Sequence, residues 1–157
     1  MPSSTYWISH VCSCLAAVLV AGVSLVANAD PAHPDPCKLI TVAELQQIVG
    51  PLSGAPQASS PGPGVATCTY TPVKGPRFID INVLEGDLAA LRGSHTYKDN
   101  AVSLPEFGKD AFMNPNSHDY ADVFVKKGTF VLQVSLPTAP AAIDTAKAIA
   151  KKALVRM

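Results

Sequence analysis

Neither charge dominates this chain: twelve Lys and Arg balance twelve Asp and Glu, and none of them stands before Asp30. Nucleic-acid binding draws on cations that neutralise phosphates, so the balance argues against that partner class. It argues equally against a polybasic patch for anionic lipids. Tryptophan is absent beyond Trp7, which removes a common anchor of binding hot spots and leaves Ile, Val, Leu, Ala and Phe to build a core. There is no C-x-x-C pair, no G-x-S-x-G elbow and no glycine-rich phosphate loop after a strand. Redox, serine-hydrolase and nucleotide chemistry therefore have no local signature.

What is present first is an apolar run, Leu15 to Val26, that ends in Ala27-Asn28-Ala29 and is followed by Asp30-Pro31. An apolar stretch too short to span comfortably, closed by small residues, predicts a signal peptide over residues 1–29 of the bacterial type. A proline just past the cut keeps the preceding Asp extended. The n-region offers only the α-amino group and His10, and an uncleaved N-terminal anchor is the competing expectation. After cleavage, residues 30–157 make one domain of common size with no membrane span, periplasmic or secreted.

Cys12 and Cys14 precede the apolar run, so a lipoprotein cysteine at the cut is missing, and Cys37 and Cys68 are the two left. In an oxidising compartment one structural disulfide between them is expected. Closing a loop of about 32 residues contributes on the order of 3–4 kcal/mol.

Along the rest of the chain, Asp30–Pro36 is a proline-rich lead-in. Thr41 with Glu44 fits a capping box and Gly50-Pro51 a stop, which predicts a helix with Val42, Leu45, Ile48 and Val49 on one face. Residues 51–64 hold four prolines and no charge and read as a loop. Thr67–Pro72 and Arg77–Leu84 alternate as strands of a hairpin, the latter with Ile79, Ile81 and Val83 inward. Asp87 and Gly93 bracket a short helix. Residues 94–106 are polar and irregular, Lys109–Met113 a short strand and Asn114–Asp119 a turn. Asp122–Lys126 and Thr129–Leu136 form a hairpin through Lys127-Gly128. Ala139–Val155 is a helix capped by Thr138, with Pro140 in its first turn. The expected class is α+β: an antiparallel sheet of about five strands with a long C-terminal and a short N-terminal helix packed on one face.

Three histidines lie beyond the apolar run, His33, His95 and His118. His118 beside Asp119, with Tyr120 and Asp122 close behind, is the best chemical constellation. It suits a general base or ligand oriented by an aspartate, although a histidine among Asn, Ser and Pro in a turn is most often solvated. His95 and His118 lack metal-pair spacing, and Glu85, Asp87 and Glu106 pair only if the fold brings them together. No catalytic residue, metal or cofactor is assigned.

The segments Asp35-Pro36-Cys37 before the capped helix, Cys68-Thr-Tyr70, Gly108–Phe112 and Val125–Gly128 resemble a broad group of small exported, disulfide-bonded bacterial proteins and lipoproteins of unknown function. The resemblance implies Cys37–Cys68 pairing and an α+β domain, and lends no catalytic residue. The reading is a non-enzymatic envelope or secreted module. It binds an envelope protein or small ligand through Tyr97, His118 and Tyr120 in the irregular 93–120 region. The alternatives are a metal-assisted or acid/base hydrolase using His118 with Asp119 or Asp122, and an inhibitor that inserts loop 51–64 into the cleft of a secreted hydrolase.

Overall fold

The computed structural model describes residues 33–117 and 119–157, without the side chains of 116 and 117. The expected signal peptide, residues 1–29, and His118 lie outside the described residues. No helix among those described is long and apolar enough to cross a membrane.

Seven strands, β1 Gln57–Gly62, β2 Val65–Tyr70, β3 Ile79–Glu85, β4 Val102–Ser103, β5 Phe112–Ser117, β6 Tyr120–Lys127 and β7 Phe130–Pro137, form one sheet. Its order is β1-β2-β3-β7-β6-β5-β4, and every pairing is antiparallel. Among the described residues three α-helices accompany it: α1 Val42–Val49, α2 Leu88–Arg92 and α3 Ala142–Ala153. The class is α+β as expected, with seven strands in place of about five.

Both extra strands come from segments read as irregular. β1 arises inside the proline-rich stretch because it sits at the sheet edge, where Pro61 withholds no N–H that an inner strand would need, and its register with β2 shifts between Ser59 and Gly62. β4 is a two-residue strand on the opposite edge. The expected turn Asn114–Asp119 is strand as far as Ser117, with Pro115 at a register irregularity between Asn114 and Ser117. Asp119 takes the left-handed conformation, φ 72°, which Asp tolerates better than most residues. The α3 cap also differs. The helix begins at Ala142 with no side-chain cap, and Thr138, whose N–H extends the sheet by donating to Asp119 O at 2.8 Å, stands four residues before it.

Local signals that were strong in sequence operate as expected. Thr41 Oγ1 accepts from the Glu44 N–H at 3.2 Å and Glu44 Oε2 from the Thr41 N–H at 3.0 Å, the reciprocal bonds of a capping box. Gly128 turns β6 into β7 at φ 62°. Strand alternation puts Ile79, Ile81, Val83, Val123, Leu132 and Val134 on one face. Leu45 of α1 and Ala146, Ile149 and Ala150 of α3 pack into the same cluster. Cys37 and Cys68 form the disulfide, with Cα atoms 5.1 Å apart, tying the lead-in to β2. Arg156 closes the layer by pairing with Glu44 at 3.0 Å, and its hydrogen bond holds the Glu44 carboxyl down to about 2.

The other face carries a second, smaller cluster at one end. There Leu88 of α2, Phe112, Phe124 and Val131 pack together with Leu84, Leu91, Tyr97 and Ala101 around them.

Candidate functional site

Where this second cluster stops, the same face of the sheet changes chemistry. Side chains on one face recur every second residue, about 7 Å apart along a strand. The register therefore lays them out in rows. Phe112, Phe124, Gln133, Asn82 and Thr67 stand side by side across β5, β6, β7, β3 and β2. The next row is polar throughout: Asn114, Asp122, Ser135, Asp80 and Thr69. It crosses five strands, roughly 19 Å. Beyond it lies an aromatic lip, where the Phe78 and Tyr120 rings meet at 5.7 Å.

The polar side chains are joined in a chain with one direction. Thr67 Oγ1 donates to Asn82 Oδ1 at 2.7 Å, Asn82 Nδ2 to Gln133 Oε1 at 3.2 Å, and Gln133 Nε2 to Asp122 Oδ1 at 3.0 Å. That direction is dictated by the ends. An ionised carboxylate only accepts, so Gln133 must turn its amide nitrogen to Asp122 and its oxygen to Asn82, and so on back to a hydroxyl. In the neighbouring row Thr69 Oγ1 donates to Asp80 Oδ1 at 2.6 Å.

Burial grades across the band. Asp122 is 2 % exposed and Asn114 fully buried, whereas Thr69, Asp80, Asn82 and Gln133 are half-buried. Burial raises the Asp122 carboxyl above its usual range, opposed by hydrogen bonds from Ser135 and Gln133. The result is a shallow polar surface with a buried carboxylate at its inner end. Asn82 and Gln133 each use one amide N–H within the chain, and the second N–H of each is available to a partner.

The structure places the residues singled out in sequence as follows. Tyr97 packs its ring on Phe124 at 4.9 Å and Phe112 at 6.0 Å, in the covered cluster. Tyr120 is exposed at the lip. The two share a face of the sheet, but Tyr120 and Phe124 are four residues, about 13 Å, apart along β6, with Asp122 between them. His95 is exposed on the segment after α2. Asp119 is exposed in the β5–β6 turn. Glu106 pairs with Lys147 at 2.9 Å and Asp87 caps α2, each a structural role. Among the described residues no group of three or more His, Cys, Asp or Glu is placed to hold a metal ion.

Of the residues singled out in sequence, Tyr120 and Asp122 lie at this band, whose other members were not singled out. Its signal was the polar phase of three alternating strands, Thr67/Thr69, Asp80/Asn82 and Gln133/Ser135, which read as solvent-facing until the register aligned them. No protein-family model matches the chain, and no curated protein or solved structure matches it either.

Proposed function

We propose that this protein is an exported, non-enzymatic binding module, periplasmic or secreted, that holds an uncharged polyhydroxylated small ligand of saccharide chemistry on the polar band. The observation that carries the reading is the directional chain Thr67–Asn82–Gln133–Asp122 beside the Phe78–Tyr120 lip. Planar amides and carboxylates offer paired donors and acceptors to vicinal hydroxyls, and an aromatic edge offers a face to the apolar side of a sugar ring. No Lys or Arg takes part in the chain's hydrogen bonds, which disfavours an anionic ligand. Export rests on the signal-like residues 1–29, the disulfide and the resemblance to small exported proteins.

Tyr120 contributes directly at the lip, and Tyr97 acts from beneath by fixing Phe124. The test is amide chemical-shift mapping with a panel of uncharged mono- and disaccharides. Shifts gathered at Thr69, Asp80, Asn82 and Gln133, and lost in Asn82→Ala and in Tyr120→Ala, are expected. If no sugar moves this face at tens of millimolar, the reading is wrong.

A further inference from the structure

We propose a second site, separate from the polar band: a trough beside β1 that takes an extended peptide strand from another protein, docked by strand addition and anchored by a Lys or Arg side chain.

Among the described residues β1 is the last strand on its side of the sheet and pairs only with β2. Five of its six residues are exposed. An edge strand presents unpaired backbone donors and acceptors, and proteins usually guard them with charge. Residues 51–64 carry no charged residue; Pro61 and the register shift near it guard only the end of the strand. Among the described residues nothing pairs with the outer edge from Gln57 to Ser60.

A trough of about 670 Å3 is lined by Ala58, Ser59 and Ser60 of β1, by Val65 to Thr67 of β2 and by His33 to Pro36 of the lead-in. The lead-in wall is built in advance. Asp35 Oδ1 accepts from the Cys37 N–H at 3.0 Å, and the disulfide fixes Cys37 to β2. A preformed wall spares a partner the entropy of ordering it.

The chemistry of the trough selects donors. Asp35 is matched by Lys38 at 3.3 Å, whereas Glu85, exposed in the same lining, has no ion pair among the described residues. His33 Nδ1 lies 3.2 Å from Pro34 O, an acceptor, so in the neutral ring Nδ1 carries the hydrogen and Nε2 is left as an acceptor. Nε2 is buried and has no hydrogen-bond partner among the described residues. Glu85 is thus the exposed acceptor of the lining, and a lysine or arginine supplies what it lacks. A second copy of this chain does not fit, because its own edge segment, residues 51–64, has no basic side chain to bring.

The test is selection of linear nonapeptides from a random display library against the oxidised protein, followed by amide shift mapping and affinity measurement. Enriched peptides should contain Lys or Arg and perturb residues 57–62 and 33–36. N-methylation of one strand N–H should weaken them about two- to tenfold, the range of one net hydrogen bond. Glu85→Gln should weaken them about two- to fivefold at low salt, as for an exposed ion pair. Tyr120→Ala should leave them unchanged, which separates this site from the polar band. Failure to enrich any peptide, shifts that map elsewhere, or indifference to Glu85→Gln overturns the proposal. Concentration-dependent dimerisation that protects the β1 amides without peptide also overturns it, by giving the edge to a second copy.

Discussion

Replacing both cysteines of the Cys37–Cys68 bridge with alanine tests how far one covalent bond holds this fold. The bridged residues are 31 apart in sequence, so the closed loop of about 32 residues restricts the unfolded chain by roughly 12 cal/mol/K, or about 3.7 kcal/mol at 25 °C. Cys68 is fully buried in the main cluster, and losing its sulfur contacts adds on the order of 1 kcal/mol. The expected loss is therefore about 4–5 kcal/mol, a large share of the 5–15 typical of small domains. Urea unfolding at neutral pH, followed by circular dichroism, reads it directly. With a slope of about 1–2 kcal/mol/M for a chain of this size, the midpoint should fall by roughly 2–5 M. The slope itself should rise, because the freed unfolded chain exposes more surface. A loss under about 1 kcal/mol would refute the reasoning, since it would mean that the unfolded chain keeps the two segments together without the bond.

Glu44→Gln should flatten the acid limb of stability. The unfolded carboxyl titrates near 4.5 and the folded one near 2, so its contribution is complete above the higher value and lost as pH falls towards the lower, readable in urea midpoints from pH 5 to pH 2. Asp122→Asn should act with the opposite sign. Burial raises the folded carboxyl above 3.8, so the unfolded state releases its proton first and stability declines as pH rises between the two values. The variant should gain on the parent from pH 3 to pH 7 in thermal melts, and a constant difference would count against the burial argument. Phe124→Ala should cost about 3–5 kcal/mol, because its fully buried ring stacks on Phe112 at 4.6 Å and meets Tyr97 at 4.9 Å. Near-ultraviolet dichroism should lose the Tyr97 signal in the same variant.

Elements whose cause is local were legible in the sequence. The capping box of α1, the Gly128 hairpin and the Asp87-capped α2 each depend on residues within one turn, and each forms where its residues stand. β1 was not legible. Its prolines argue for a loop, and only a neighbour supplied from Val65–Tyr70 makes a strand there favourable. The start of α3 failed for a related reason, since the sheet holds Thr138 through its N–H to Asp119 O and the helix begins only after a turn at 140–141. The polar band lay furthest from reach. Alternation assigns Asp80, Asn82 and Gln133 to a face, but only the pairing of β3 with β7 places Asn82 against Gln133.

That β3–β7 pairing also divides the molecule in time. β1, β2, β3, α1 and the disulfide all lie before residue 86, and α2, β4 to β7 and α3 all lie after it. Within each part the strands join neighbours in sequence or short-range partners, whereas β3 with β7 brings together residues 51 apart at Asn82 and Gln133, and Glu44 with Arg156 residues 112 apart. Long-range closure has the larger entropic cost in reaching the transition state. Mutations at Ile81 and Val134, paired across that seam, are thus expected to slow folding, while those at Ala58, on the outer hairpin, chiefly speed unfolding. The first half can oxidise while the second is still a chain, and until β7 arrives β3 remains an apolar edge open to the β7 of another molecule.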